Sequence, residues 1–200
     1  MNPIISAQHL SKQYRVHRGR PDSLKEAVVR RKKNRSSSEF WALKEVSLDI
    51  EKGSFFGLIG HNGSGKTTLL KLMAGIHNPS SGQLKVNGRV SALLELGSGF
   101  HPELSGRENI YLNGAILGLT RKEMDLAVDE IIEFSDIGEF VDAPVKILSS
   151  GMYVRLGFAV AVHVAPEILL IDEVIAVGDE AFQRKCLEHL YELRRAGTTI

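Results

Sequence analysis

The chain has 200 residues, enough for one compact domain with a substantial subdomain and a real core. Hydrophobic residues at 43% and charged residues at 24% exclude collagen-like, disordered and supercharged classes, and no apolar run approaches the ~20 residues that a bilayer crossing needs. The net charge of +1 conceals a block: of 25 basic and 24 acidic residues, ten and two lie between positions 12 and 35, a local charge of +8 against −7 elsewhere.

Residues 1–11 lack the basic-then-apolar pattern of a signal peptide, and the single cysteine, Cys186, can form neither an internal disulfide nor a zinc site, so a reducing cytosolic setting is expected. Within the basic block, Ser23 and Glu26 form a capping box ahead of Leu24, Ala27 and Val28. This predicts a short amphipathic helix running into Arg30, Arg31, Lys32 and Lys33, with Ser36, Ser37 and Ser38 as a loose link. The block reads as a solvated linker or as a surface for anionic lipid head groups; nucleic acid is not expected, because no interleaved aromatics offer a stacking platform.

Residues 55–59 read as a strand, followed by a glycine-rich loop and a helix carrying Leu69, Leu70, Leu72 and Met73. Residues 84–86 and 90–94 read as strands joined by Asn87-Gly88, a type I′ hairpin signal. From 105 to 165 apolar residues recur at helical spacing, with capping boxes at Ser105/Glu108 and Thr120/Glu123. Pro166 stops the last of these helices, and residues 168–171, apolar throughout, read as a strand buried on both faces. Cys186 sits at helical spacing from Phe182 and Leu190, a packing position. Ala196-Gly197 then reads as a turn into a further strand, with the chain truncated inside that element at Ile200.

Two segments carry chemistry. Gly60-His61-Asn62-Gly63-Ser64-Gly65-Lys66-Thr67 has two glycines framing four residues, then a lysine and a hydroxyl, between a strand and a helix. In that arrangement the backbone N–H groups turn inward around phosphate oxygens, the helix N-terminus adds partial positive charge, Lys66 neutralises the β/γ-phosphates and Thr67 holds Mg²⁺. Thr68 belongs to the same binding turn. The buried strand at 168–171 ends in Asp172-Glu173, where open α/β sheets hold their ligands. Asp172 is expected on Mg²⁺ and Glu173 as the base that orients or deprotonates the attacking water, with a helix-capping role as the competing reading of Asp172.

A third segment, Leu148-Ser149-Ser150-Gly151-Met152, opens a helix just before that strand and resembles the signature of ATP-binding cassette (ABC) ATPases; on its own it would read as an ordinary Ser/Gly helix start. With the wording of residues 93–110 and 172–179, the chain resembles the ATPase subunits of polysaccharide exporters for O-antigen, capsule and teichoic acid. The fold this implies is α/β: a P-loop NTPase, ABC-type ATPase core with an antiparallel β subdomain (1–95 and 166–200) and an inserted helical subdomain (96–165). The resemblance implies a homodimer in which Ser149 and the Gly151 backbone cap ATP held by a partner copy, with Asp179 as a dimer contact whose alternative role is an N-cap. It further implies a separate integral membrane permease, a lipid-linked polysaccharide as cargo and a position at the cytoplasmic face of the membrane. Glu95 is the nearest match to the family's metal-sensing glutamine, and Tyr14 to its adenine-stacking aromatic, with Trp41 as the alternative. Ser150 and Met152 replace family residues in the signature, and the family's switch histidine would fall beyond Ile200. The rival readings are a soluble ABC ATPase of DNA repair or translation and a nucleotide-binding regulator that does not hydrolyse ATP.

Overall fold

The computed structural model describes residues 3–16, 38–94, 97, 99–172 and 178–200. Its elements are β1 (Ile5–Val16), β2 (Ser38–Ile50), α1 (Lys66–Met73), β3 (Ser81–Val86), β4 (Val90–Leu93), α2 (Gly106–Ile116), α3 (Arg121–Ser135), two 3₁₀ turns (Gly138–Asp142 and Val145–Ile147), α4 (Ser150–His163), β5 (Ile168–Ile171) and α5 (Glu180–Arg195). The basic block beyond Val16, including the helix expected around Ser23, lies outside the described residues.

An antiparallel sheet runs in the order β2-β1-β3, and β4 pairs with β5 in parallel. The long β1/β2 pair goes unannounced in the sequence because bulges break its period-2 alternation. In β1 the buried set passes from Ile5 and Ala7 to Leu10, across His9 at φ 48°. In β2 it passes from Leu43 to Ile50, across Glu45 at φ 47°. Serines satisfy the bulged amides: His9 N donates to Ser47 Oγ and Glu45 N to Ser11 Oγ, both at 2.9 Å.

Two sequence expectations need correction. Residues 84–86 and 90–94 do not form a hairpin: β3 pairs with β1, and β4 with β5, so the chain changes sheets at Asn87-Gly88. Gly88 has φ 143°, and Asn87 is not among the positive-φ residues that a type I′ turn would require. Residues 55–59 are not a strand either. Phe56 N donates to Ile200 O (2.7 Å) and Ile200 N to Ser54 O (3.0 Å), after which the ladder stops and Ile59 stands fully exposed. The segment at 198–200 lies between this stretch and β5; where a strand is expected, it makes a single bridge, Thr199 with Ile168.

The helices follow their local signals. Ser105 and Thr120 close full capping boxes on α2 and α3, and these hydrogen bonds hold the Glu108 and Glu123 carboxyls below their usual range. In α4 every residue from Leu156 to Val162 is buried, the mark of a helix enclosed on all sides. Strand β5 joins two cores: Leu169 packs with the helical cluster around Ile110, Ile131, Phe158 and Phe182, while Ile168 and Leu170 pack with Ile5, Leu10, Leu70 and Met73. Its two apolar faces are thus both used, and its C-terminal end emerges at Asp172, beside the start of α1. Cys186 is 2% exposed in the helical cluster, and burial pushes its thiol up to about 12, a packing residue as its spacing predicts.

Candidate functional site

The loop from Gly60 to Ser64 is exposed, and α1 starts at Lys66 with Leu69, Leu70, Leu72 and Met73 anchoring its inner face. Gly65 is the N-cap, at φ 95°, and a Cβ there would lie 2.5 Å from Ala42 O, so the turn into the helix requires glycine both conformationally and sterically. Ser64 N donates to His61 O, folding the loop back on itself. Lys66 Nζ reaches across it to Gly60 O (2.9 Å) and His61 O (3.2 Å), and the His61 ring turns its Nδ1 onto Asn62 O.

Across 105 residues, Thr67 Oγ1 donates to Asp172 Oδ2 at 2.7 Å. Asn62, Gly63, Lys66, Thr67 and Asp172 line a polar cavity of about 230 Å³. The sequence motifs at 60–67 and 168–172 therefore meet. The hydroxyl and carboxylate are hard oxygen donors of the kind Mg²⁺ accepts alongside waters and phosphates. Among the described residues, no three His, Cys, Asp or Glu side chains cluster to hold a metal by themselves, so the donor set suits an ion shared with a phosphate. Glu173 and Glu95 lie outside the described residues.

Ser149 is the N-cap of α4, its Oγ accepting from Met152 N at 3.2 Å, and the tip it forms with Ser150 is exposed. Asp179 is the N-cap of α5: Oδ1 accepts from Phe182 N at 2.9 Å. That amide first, and the Arg155 guanidinium after it, hold the Asp179 carboxyl below its usual range. The capping role foreseen for Asp179 is therefore present.

Tyr14 and Trp41 lie on adjacent strands, Tyr14 opposite Phe40 and Trp41 opposite Gln13. The Tyr14 ring meets His77 edge-on at 6.1 Å with Lys12 Nζ 5.2 Å from its centre. Trp41 is 41% exposed and adjoins Ala42, the residue against which Gly65 packs.

The ABC transporter family matches residues 43–176, which spans the loop, the signature and the end of β5. The chain belongs to the ABC transporter family. This ABC transporter chain is 54% identical over 190 residues to the O-antigen export system ATP-binding protein RfbB of Myxococcus xanthus, covering 93% of the chain and 44% of that protein. It is 45% identical over 203 residues to the RfbB of Klebsiella pneumoniae, covering 100% of the chain and 82% of that protein. The teichoic acids export ATP-binding protein TagH of Staphylococcus epidermidis is 42% identical over 200 residues, with coverage of 100% and 74%. The chain thus spans less than half the length of the Myxococcus relative. Two solved structures share the fold. One is the dimeric structure of MJ0796, a bacterial ABC transporter cassette, with a TM-score of 0.76 at 21% identity, covering 98% of the chain and 85% of that one. The other is the dimeric post-hydrolysis state of MJ0796 bound to ADP and Pi, with a TM-score of 0.74 at 20% identity and the same coverage.

Three side chains of this ABC transporter chain carry structure that the motifs do not announce. Asn109, fully buried, accepts from His101 N through Oδ1 and donates through Nδ2 to His101 O, Leu104 O and Ser105 O. Tyr153, on the first turn of α4, donates to Gly97 O at 2.8 Å and meets Phe100 edge-on. Arg155, one turn inward of Gly151, reaches Asp136 and Asp179. The signal available for the last two was their nearness to the signature; the partners they reach were not visible in sequence. His163 and His189, which show no ligand spacing, stack at 4.6 Å, with Phe134 packed against both rings.

Proposed function

We propose that the chain is the ATP-binding and ATP-hydrolysing subunit of an exporter that moves a lipid-linked polysaccharide across the cytoplasmic membrane through a separate membrane permease. The observation that carries this reading is the 2.7 Å contact of Thr67 with Asp172 beside Lys66, which gathers a phosphate loop and a metal carboxylate into one polar cavity. The names of the relatives supply the export process and favour it over DNA repair or translation.

The residues divide the work. The amides of residues 60–65 and the N-terminus of α1 hold the phosphate tail, and Lys66 leaves the Gly60 and His61 carbonyls to neutralise its outer charge. Thr67 and Asp172 would hold Mg²⁺, which offsets charge developing on the phosphate oxygens. Glu173, next in sequence to Asp172, orients the attacking water and accepts its proton, a contribution of ~10²–10⁴ in rate. Glu95, the nearest match to the family's metal-sensing glutamine, would be a further ligand for the ion. The adenine stacks on Tyr14 or, since Trp41 adjoins the residue against Gly65, on Trp41. Ser149, Gly151 and Asp179 face a second copy, so that two ATPs lie between two chains. The pair binds the permease at the cytoplasmic face of the membrane.

Phosphate release by the purified protein tests the chemistry. Glu173→Gln is expected to bind ATP and release phosphate at least about 100-fold more slowly, while Lys66→Ala is expected to lose nucleotide retention. Intact turnover in the first variant would remove Glu173 as the base. Co-purification with a multi-span membrane subunit tests export, and enrichment on ribosomes or DNA in its place would transfer the assignment to the rival class.

A further inference from the structure

Asp179 has both carboxylate oxygens engaged. Oδ1 caps α5 through Phe182 N, and Oδ2 accepts from Arg155 Nη2 at 2.5 Å. The same guanidinium gives Nη1 to Asp136 Oδ2 at 3.1 Å and lies 4.9 Å from the centre of the Phe182 ring. Asp136 is the left-handed C-cap of α3. One planar group thus ties together the end of α3, the body of α4 and the start of α5.

Energetics separates a stability role from a geometric one. Both carboxylates are largely exposed, 77% for the Asp136 side chain and 60% for Asp179, and ion pairs of that kind add little to global stability. Arg155, however, is only 18% exposed, its stem enclosed and its head clamped on both ends and one face. A rigid fork held this way fixes direction more than it adds free energy. What it fixes is the relation between two exposed features, the Ser149 tip and Asp179. Ser149 lies six residues before Arg155 on the same helix, about 9 Å along its axis, and Asp179 is held by the arginine itself.

We propose that Arg155 is a positioning residue for dimer closure: it binds the Ser149 helix tip and Asp179 into one rigid unit, so that a second copy of the chain meets both at once. This rests on the reading above that Ser149 and Asp179 face a second copy. Without the guanidinium the two features move independently, and closure around ATP must first order them.

The test uses the Glu173→Gln protein, which retains ATP, and follows MgATP-driven dimerisation by sedimentation alongside binding of a fluorescent ATP analogue under non-dimerising conditions. Arg155→Met keeps the stem over Phe182 and removes the fork. It is expected to raise the ATP concentration for half-dimerisation by about tenfold, the scale of a modest coupling between sites, with analogue affinity within about twofold of the parent. Arg155→Lys should recover part of the loss. Asp136→Asn, which keeps a residue tolerant of the left-handed cap, should dimerise as the parent does. In an Asp179→Asn background, Arg155→Met should add little further, because the arginine acts through that carboxylate. Parent-like dimerisation of Arg155→Met, or full additivity with Asp179→Asn, overturns the proposal. Failure of the Glu173→Gln parent itself to dimerise with MgATP would overturn the two-copy reading, a separate result read before any arginine variant.

Discussion

Gly65→Ala offers the sharpest test of the loop geometry. Gly65 sits at φ 95°, where an L side chain costs roughly 1–2 kcal/mol. A Cβ there would also lie 2.5 Å from Ala42 O and 2.8 Å from Leu43 Cδ2. Ala42 O belongs to the backbone of β2, at a bulge flanked by the Leu43–Lys12 and Trp41–Gln13 pairings with β1, so it cannot yield as a flexible side chain would. Forcing a methyl into such a contact adds roughly 1–3 kcal/mol. The total, about 2–5 kcal/mol, falls on the turn that aims the loop amides; at about 1.4 kcal/mol per tenfold, nucleotide affinity should drop by roughly 30-fold to a few thousand-fold. Gly63→Ala is the internal control. It shares a positive φ of 80° but has nothing within 4 Å, so only the conformational share applies and the loss should be about tenfold. Titration of a fluorescent ATP analogue, with melting curves to confirm that both variants fold, reads the difference. Equal losses in the two variants, or near-parent affinity for Gly65→Ala, would refute the claim that β2 dictates glycine at this position.

Asn109→Ala should destabilise the protein by about 1–3 kcal/mol in chemical denaturation, because it empties a fully buried site and strips the His101 N–H and carbonyl of that partner; a change below about 1 kcal/mol would mean that water replaces the clamp. Tyr14→Ala and Trp41→Ala separate the two adenine candidates: the stacking residue should lose about 1–3 kcal/mol of ATP affinity, with phosphate-only binding unchanged, and the other should lose little. His163 is held below its ordinary value of 6.5, first by burial and also by His189 and Lys185, against Glu130 and the Ala159 carbonyl. The unfolded chain therefore binds the proton more readily, and stability should be full above pH ~6.5 and fall as the pH drops through the lower folded value. His163→Gln, which can still donate to Ala159 O, should flatten the urea midpoint between pH 7.5 and 5.5; an unchanged slope would place the acid sensitivity elsewhere.

What the sequence announces here is what is encoded within one or two turns of chain. The capping boxes at Ser105 and Thr120, the loop from Gly60 to Thr67 and the doubly buried strand ending at Asp172 each depend on spacings of three to eight residues, and each is present. The features that escaped depend on pairings decided at a distance. The β1/β2 ladder is hidden by phase slips at His9 and Glu45, whose positive φ values move the apolar set to the other parity. Asn87-Gly88 carries a hairpin signal, but β1 competes for β3 and β5 for β4, and the buried alternatives win. Residues 55–59 have strand composition, yet composition supplies no neighbour, and among the described residues only Ile200 hydrogen-bonds to this stretch's backbone in strand fashion.

The same distinction explains why the signature is harder to read than the phosphate loop. The loop's function depends on its own backbone, so its residues are visible as a motif. The role proposed for the signature depends on how α4 is held, and α4 is held by partners far along the chain: Gly97 through Tyr153 and Asp179 through Arg155. These two contacts lead to the segments that follow β4 and β5, the strands that pair directly with each other. A helix buried on every side from Leu156 to Val162 cannot turn about its axis without disturbing its core, so a shift of its exposed tip must be carried as a rigid-body movement. Such a movement pulls on Gly97 and Asp179 together, the one just beyond the end of β4 and the other beyond the end of β5. The helix tip is therefore tied to the segments after β4 and β5 by two side chains that no local pattern distinguishes from an ordinary helix surface.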